Sequence, residues 1–251
     1  MAKVKAVITD LDKTLLRTDK TVSEYTRAVL DACRGRGMLV MAATARPERS
    51  ILTYQALLGF EAAATLNGAR VLLPGRTLEN ALAFAGVRRM LEQIMAVPGV
   101  RISLETDRGI FSNAPIPEWS PVVFEGFPQL PECGRIYKIL LSGLGEGLRE
   151  RAEGALTEDA YLTVANGELL QIMDRRATKW NGVGAMLGAA GIAPEDAVYF
   201  GDDNDDLEPI RRCGTGVAVA NAIGAVLDAA DAVAPANDLD GVARWIEDNL
   251  L

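Results

Sequence analysis

The sequence predicts an α/β protein in which a doubly wound, mostly parallel sheet is interrupted by an inserted α+β unit. Short apolar runs alternate with helical segments in both halves of the chain, as expected for parallel strands buried on both faces. Over residues 80–174 strand patterns outnumber helices and hairpins are frequent, which indicates a separate insert. We therefore predict a core of residues 1–79 and 175–251 and an insert of residues 80–174.

The composition argues against several classes of function. The 251 residues are 49% hydrophobic and 24% charged, as in an ordinary globular protein, and the formal net charge is −8. Because binding a phosphate backbone requires a positive surface, we expect no nucleic-acid partner. No apolar segment is long enough to span a membrane, and the first apolar run leads into Asp10 and Asp12 rather than a secretory signal. We therefore expect a cytoplasmic protein with no membrane partner.

The chain contains no histidine, and this limits the available chemistry. Imidazole bases, histidine metal ligands and the Ser-His-Asp and Cys-His nucleophiles are all excluded. Cys33, Cys133 and Cys213 lie far apart without a CxxC pair, which is typical of reduced, partly buried thiols. Any catalysis must use carboxylates, lysine, hydroxyls, backbone groups or a metal ion.

The first predicted strand ends in two carboxylates, Asp10 and Asp12. Ligands bind at the carboxyl ends of parallel strands, so both residues lie where chemistry usually occurs. Two close carboxylates repel each other unless a cation or a shared proton relieves them, and Mg²⁺ prefers oxygen ligands. The pair predicts a metal site whose carboxylates can also attack or transfer protons, with an exposed acidic turn as the alternative.

The elements that follow continue the alternation. Ser23 is a favoured N-cap for a helix that ends near Arg34. A second strand over residues 38–43 ends at Thr44, before a helix predicted to start at Pro47, and a hydroxyl in this place can help to bind an anion. The alternative is that Thr44 only caps this helix. A third strand over residues 62–66 runs into Asn67-Gly68, a strong hairpin signal.

Within the insert, helices are predicted at residues 80–95 and 146–156. Strands are predicted at residues 100–104, 110–111, 135–141, 161–164 and 169–173, whereas residues 114–131 show no clear period. Glu105, Arg108, Trp119 and Arg135 are candidates to line a substrate pocket, and nothing in the sequence ranks them.

The α/β alternation returns after the insert. Lys179 opens a helix that ends at Gly191, and taken alone it would be an ordinary solvated lysine. A strand over residues 197–200 runs into residues 201–206 (GDDNDD), where four aspartates would repel each other unless a cation is present; a bare acidic turn is the alternative. Strands at residues 216–219 and 232–234 and helices at residues 222–230 and 239–250 complete the core.

Four polar segments can therefore meet in one crevice at the edge of the sheet. They are the pair Asp10 and Asp12, Thr44, Lys179 and residues 202–206. A carboxylate-bound metal, the amine of Lys179 and the hydroxyl of Thr44 form a set that suits a phosphate group. The cations neutralise its charge and the hydroxyl donates a hydrogen bond.

These segments resemble the motifs of the haloacid dehalogenase (HAD) superfamily, in its Cof-type branch (subfamily IIB). Residues 10–14 (DLDKT), residues 44–47 (TARP), Lys179 and residues 201–206 are similar to motifs I to IV in that order. Residues 67–69 (NGA) and 219–222 (VANA) also look like Cof-type sequence. The insert lies between motifs II and III, as a C2-type cap does. The resemblance implies a HAD-like Rossmannoid core with a cap that selects the substrate.

The resemblance also implies an activity, a phosphatase that requires Mg²⁺ and acts on a small phosphorylated metabolite, either a sugar phosphate or a phospho-acid. Asp10 is then the nucleophile that forms an aspartyl-phosphate, and Asp12 protonates the leaving oxygen and activates water. Asp10, Asp12 through its backbone carbonyl, and Asp202 are the implied metal ligands. Thr44, Ala45 and Lys179 are the implied phosphate-binding residues.

The chain departs from the family pattern at several positions. In motif IV, Asp205 replaces the usual asparagine and Asp203 replaces a small residue. In motif II, Ala45 replaces a glycine. Trp180 replaces the glycine that commonly follows the motif III lysine. Asp203, Asp205 and Asp206 are thus candidates to bind the metal or to support its ligands. Two alternatives stay open, namely a phosphotransferase or mutase resembling phosphomannomutase, and a metal- or phosphate-binding protein without turnover. The oligomeric state is also left open.

Overall fold

The structure, a computed structural model, describes residues 4–116, 120–143, 147–165 and 169–251. In this part of the chain two compact units are distinguished, residues 1–79 with 177–251 (the core unit) and residues 80–176 (the insert). Trp119 and Glu146, which belong to segments discussed above, lie outside the described residues.

The elements follow each other in a simple order. The chain begins with β1 (Ala6–Thr9), α1 (Glu24–Gly35), β2 (Leu39–Ala43), α2 (Glu48–Leu58), β3 (Ala62–Thr65), β4 (Arg70–Leu73) and β5 (Arg76–Glu79). The insert contributes α3 (Phe84–Ile94), β6 (Arg101–Thr106), β7 (Gly109–Ser112), β8 (Val122–Val123), α4 (Leu130–Cys133), β9 (Ile136–Ser142), α5 (Leu148–Ala155), β10 (Ala160–Ala165) and β11 (Leu169–Asp174). The core unit resumes with α6 (Lys179–Ala190), β12 (Ala197–Gly201), α7 (Leu207–Arg212), β13 (Thr215–Val219), α8 (Gly224–Ala229), β14 (Ala232–Ala234) and α9 (Gly241–Leu250).

The strand order of the core sheet fixes where a ligand can bind. Among the described residues it runs β14-β13-β12-β1-β2-β3-β4-β5. The strands from β14 to β3 are parallel, whereas β4 and β5 are antiparallel additions. Because β1 pairs with β2 on one side and β12 on the other, the strand order reverses at β1. The crevice outside the carboxyl ends of strands at such a reversal is the usual ligand site of α/β sheets.

Helices cover both faces of the core sheet. Val7 and Ile8 of β1 point to opposite faces, and both are fully buried. Val7 shares an apolar cluster with Leu30 of α1 and Ile246 of α9, whereas Ile8 shares one with Val183 of α6. Each such side chain contributes roughly 1.5–3 kcal/mol through burial. This two-sided burial is the reason for the continuous apolar runs, and the predicted doubly wound α/β fold is confirmed.

The insert is an α+β unit with one apolar sheet face. Within the described ranges its sheet has the order β10-β11-β9-β6-β7-β8, antiparallel except for the parallel pair of β7 and β8. Ile102, Leu104 and Ile139 pack with Leu91 of α3 and Ala152 of α5. The short elements β8 and α4 lie in the segment that showed no sequence period.

Two further sequence expectations can be compared with the fold. Cys33, Cys133 and Cys213 are all buried and form no disulfide. No helix among the described residues is long and apolar enough to cross a membrane.

Candidate active site

Asp10 follows β1 directly, at the point where the strand order reverses. Its backbone N–H donates to the carbonyl oxygen of Phe200 at 2.9 Å, which continues the pairing with β12. The residue is only 5% exposed, so the alternative of an exposed turn aspartate is wrong for this position. A buried carboxylate needs a cation or several donors, and the surrounding residues supply the cation.

Lys179 is the cation beside Asp10. It is the first residue of α6, after the N-cap Thr178, and it is only 4% exposed, so it is no solvated helix lysine. Its Nζ lies 3.1 Å from Oδ1 of Asp10 and 2.7 Å from Oδ1 of Asp206. Burial acts to lower the pKa of Lys179, but the charges of Asp10 and Asp206 outweigh burial and raise it. The two carboxylates therefore favour the positively charged form of Lys179.

Asp202 joins the two ends of the chain. It follows β12, is buried, and its Oδ1 accepts a hydrogen bond of 2.6 Å from the hydroxyl of Thr14, which lies 188 positions earlier. Thr14 thereby fixes the carboxylate of Asp202 next to the segment that carries Asp10.

Asp206 is saturated by four donors. Its Oδ1 accepts from Nζ of Lys179 at 2.7 Å and from the hydroxyl of Tyr199 at 2.6 Å. Its Oδ2 accepts from the backbone N–H groups of Asp202 at 3.0 Å and Asp203 at 3.1 Å. A carboxylate offers about four lone-pair sites, so this side chain has a complete set of partners inside the protein.

The other acidic residues of the turn have separate partners. Asp203 is exposed, and its carboxylate caps the 3₁₀ turn Asn204–Asp206. Asp205 accepts a hydrogen bond from the side-chain amide of Asn67, in the turn between β3 and β4. The turn packs closely against the end of β12. Gly201 permits this approach, because a Cβ at that position would lie 2.4 Å from Cβ of Asp206.

The segment after β2 contributes a buried hydroxyl and a cation. Thr44 is fully buried, and its Oγ1 accepts from the backbone N–H of Arg46 at 3.2 Å. The N-cap position of α2 is Pro47, which makes no side-chain cap bond, so Thr44 does not cap this helix. Ala45 is exposed at the same edge of the sheet.

Arg46 is a site residue that sequence reasoning missed. Its guanidinium binds Asp12 in a bidentate manner, with Nε to Oδ2 at 2.6 Å and Nη2 to Oδ1 at 2.7 Å, and Lys20 adds a third contact at 2.7 Å. Burial acts to raise the pKa of Asp12, but the hydrogen bonds and charges of Arg46 and Lys20 outweigh it and lower this pKa to about 2. The sequence feature that could have identified this contact was an arginine two residues after Thr44, which places a cation near the end of β2.

We expect Arg46→Ala to raise the pKa of Asp12 by about one unit, because only Lys20 then remains to stabilise the carboxylate. The measurement is a ¹³C NMR titration of aspartate-labelled protein, with the Asp12 resonance identified from Asp12→Asn. Lys20→Ala is the control, and we expect a smaller rise because Lys20 makes a single, half-exposed contact. An unchanged titration in Arg46→Ala would show that the guanidinium does not set the pKa of Asp12.

The residues fit a divalent cation. Asp10, Asp202 and Asp206 each have a carboxylate oxygen within 4.8 Å of the others, and all three are buried. Against one ammonium, three carboxylates leave two negative charges, which a divalent ion would balance, and carboxylate oxygen is the donor that hard cations prefer. Burial, followed by mutual repulsion, raises the pKa of Asp10 despite Lys179, and burial and Asp206 raise the pKa of Asp202 to about 6.

These shifts predict a pH-dependent stability. A carboxyl whose pKa is raised in the folded protein favours folding while it is protonated. For Asp202 this contribution is lost as the pH rises from about 4, near the pKa of the unfolded chain, through about 6, the pKa in the folded protein. We expect the free energy of unfolding of chelator-treated protein to be lower at pH 7.5 than at pH 5, by on the order of 2 kcal/mol. No histidine titrates in this window, since the chain has none.

The measurement is denaturant unfolding at both pH values with and without Mg²⁺. We expect Mg²⁺ to reduce the difference, because a bound cation replaces the proton. Equal unfolding free energies at the two pH values in chelator would contradict the prediction.

Comparisons with known proteins identify the family. A sequence model of the haloacid dehalogenase-like hydrolases matches residues 7–246. The chain is 26% identical to the putative phosphatase YxeH of Bacillus subtilis, over 98% of each chain. It is 27% identical to the 5-amino-6-(5-phospho-D-ribitylamino)uracil phosphatase YitU of the same organism, over 95% of each.

A solved structure shows the same fold. A phosphatase of the haloalkanoate (HAD) enzyme superfamily from Bacteroides thetaiotaomicron superposes with a TM-score of 0.87 at 20% identity, over 98% of this chain and 95% of that one. Since the family match spans nearly the whole chain and the four motifs lie in their expected order, the protein belongs to the haloacid dehalogenase superfamily, in its Cof-type branch.

Proposed function

We propose that this protein hydrolyses the phosphate monoester of a small metabolite, with Mg²⁺ as its cofactor, through an aspartyl-phosphate on Asp10. The observation that carries the proposal is the position of Lys179, whose Nζ lies 3.1 Å from Asp10 within a buried carboxylate cluster. A buried carboxylate beside a fixed cation can approach an anionic ester that would otherwise repel it.

The proposed reaction has two steps. In the first, an oxygen of Asp10 attacks phosphorus, the bond between phosphorus and the ester oxygen breaks, and the leaving oxygen takes a proton from Asp12. In the second, Asp12 accepts a proton from a water molecule whose oxygen attacks phosphorus. The bond from phosphorus to Asp10 then breaks and inorganic phosphate leaves, so both carboxyl groups return to their starting states.

Asp12 is held in the state that suits the second step. Arg46 and Lys20 keep it ionised and therefore able to accept a proton. The first step requires a proton on Asp12, so in this proposal the contacts with Arg46 and Lys20 loosen when substrate binds.

The remaining residues bind the phosphoryl group and the cation. We assign Thr44, the backbone of Ala45 and Lys179 to the phosphoryl oxygens. Asp10, Asp202 and the backbone carbonyl of Asp12 would hold Mg²⁺. When bound, the ion supplies positive charge that stabilises the charge developing on the phosphoryl oxygens. Asp206 already has four donors, so we assign it to the support of Lys179 rather than to the metal.

The substrate class is proposed from the relatives and the insert. YitU is named as a phosphatase of a uracil compound that carries a phosphorylated ribityl group. We propose a sugar phosphate or phospho-acid of the cytoplasm as substrate. Residues 80–174 would act as the C2-type cap that selects it. Among the candidates named from the sequence, Glu105 is buried on β6, whereas Arg108 and Arg135 are exposed.

The experiment is an assay of purified protein against a panel of phosphorylated metabolites, read as released inorganic phosphate. We expect hydrolysis of at least one small ester with Mg²⁺, loss of activity in chelator, and no need for an activating bisphosphate. Phosphoryl transfer that appears only with a bisphosphate would assign a transferase instead. Mg²⁺-independent release, or no release from any ester, would overturn the proposal.

A further inference from the structure

Tyr199 is a buried tyrosine whose hydroxyl reaches into the site. It lies on β12 opposite Ile8 of β1, is fully buried, and packs in the same apolar cluster as Val183 of α6. Its hydroxyl donates to Oδ1 of Asp206 at 2.6 Å. A core tyrosine normally finds one partner for its hydroxyl, and here that partner is the carboxylate that also binds Lys179.

Tyr199 and Lys179 share one acceptor atom. Lys179 Nζ lies 2.7 Å from Oδ1 of Asp206 and 3.1 Å from Oδ1 of Asp10, so the ammonium already lies nearer to Asp206. A neutral donor on the same oxygen withdraws part of its negative charge and occupies one lone pair, and both effects weaken its attraction for the ammonium. Without that donor, Oδ1 would hold Lys179 more strongly.

We propose that Tyr199 is a positioning residue that keeps Lys179 shared between Asp206 and Asp10. In this way the charge of Lys179 remains available to a phosphoryl group that binds at Asp10. The inference rests on the proposed function, because it gives Lys179 a phosphate to bind. Tyr199 itself contacts neither substrate nor cation in this proposal, since it acts through Asp206.

The test compares Tyr199→Phe with wild type. We expect the dissociation constant of inorganic phosphate, measured by calorimetry with Mg²⁺, to rise about 5- to 10-fold, because the ammonium is drawn towards Asp206. We expect KM to rise by a similar factor and the dissociation constant of Mg²⁺ to change by less than about 2-fold, since the ligands of the ion are untouched. A tyrosine that only fills the core would lower the unfolding midpoint and leave phosphate binding unchanged.

Two further variants make the outcome specific. Tyr25→Phe removes another tyrosine–carboxylate hydrogen bond, which joins Tyr25 of α1 to Glu247 of α9 and involves none of the proposed site residues, and it should leave phosphate binding unchanged. In an Asp206→Asn background, Tyr199→Phe should have no further effect on phosphate binding, because its acceptor has lost its charge. An undiminished effect there would overturn the inference, as would wild-type phosphate binding in Tyr199→Phe.

The result also separates this inference from the proposed function. If wild type hydrolyses phosphomonoesters and Tyr199→Phe binds phosphate equally well, only the role of Tyr199 is wrong. If wild type neither binds phosphate nor hydrolyses any ester, the proposed function itself fails.

Discussion

Asp10→Asn is expected to reduce kcat for phosphomonoester hydrolysis by roughly 10⁴-fold or more, because an amide oxygen is a far weaker nucleophile than a carboxylate. The fold should survive this change. Asp10, Asp202 and Asp206 repel one another, and asparagine removes one of these charges. In chelator at pH 7.5 the variant should therefore unfold with a free energy no lower than that of wild type, which is the opposite of the usual effect of altering a buried polar residue.

Steady-state rates and denaturant unfolding of the same preparations provide the measurement. Asp31→Asn is the matched control, since Asp31 lies exposed on α1 and its loss should affect neither quantity. Equal phosphatase rates in wild type and Asp10→Asn would refute the nucleophile assignment. Loss of activity together with unfolding would show that repulsion among the three carboxylates does not dominate the stability of the site.

Lys179→Met should have the largest effect on stability. Methionine keeps an unbranched side chain, shorter by one atom, but removes the cation between Asp10 and Asp206, and a buried carboxylate without its partner costs about 3–5 kcal/mol. Since Asp10 and Asp206 raise the pKa of Lys179, wild type keeps this charge at both pH values compared below. We also expect kcat/KM to fall roughly 10³-fold, because the phosphoryl group loses its fixed cation.

The loss of stability should depend on pH. Because burial raises the pKa of Asp10, that carboxyl takes up a proton more readily as the pH falls, so the destabilisation in chelator should be smaller at pH 5 than at pH 7.5. Lys5→Met is the control, because Lys5 makes one exposed ion pair with Asp196, and such pairs contribute about 1 kcal/mol or less. Equal stability of Lys179→Met and wild type at pH 7.5 would show that the site does not depend on this cation.

The fold was predictable where burial leaves a pattern in the sequence. The runs around Val7, Val40 and Val198 are continuous because each strand is covered on both faces, and this pattern identified the parallel core. β5 was missed because three of its four side chains are polar and its only apolar one, Leu78, is exposed, so no apolar run marks it. β8 is two exposed residues at a sheet edge, where local sequence carries almost no signal.

The candidate site was predictable where residues follow strand ends, and not where partners meet across elements. Asp10, Asp202 and Lys179 come together because their elements meet at one edge of the sheet. The contact of Arg46 with Asp12, and that of Tyr199 with Asp206, depend on side-chain direction across neighbouring elements, which spacing along the chain does not specify. The roles of the catalytic, metal-binding and phosphate-binding residues remain predictions.

The pairing of β1 with β12 has a consequence for how the protein is made. β1 leaves the ribosome before the insert, yet β12, which completes its hydrogen bonds, follows the insert along the chain. Until then the middle of the nascent sheet exposes a bare apolar edge, and such edges recruit other chains. Contacts so distant along the chain also form slowly. The nascent protein can therefore assemble its candidate site only after the insert has been translated, and a chain that stalls within the insert would be a natural client for chaperones.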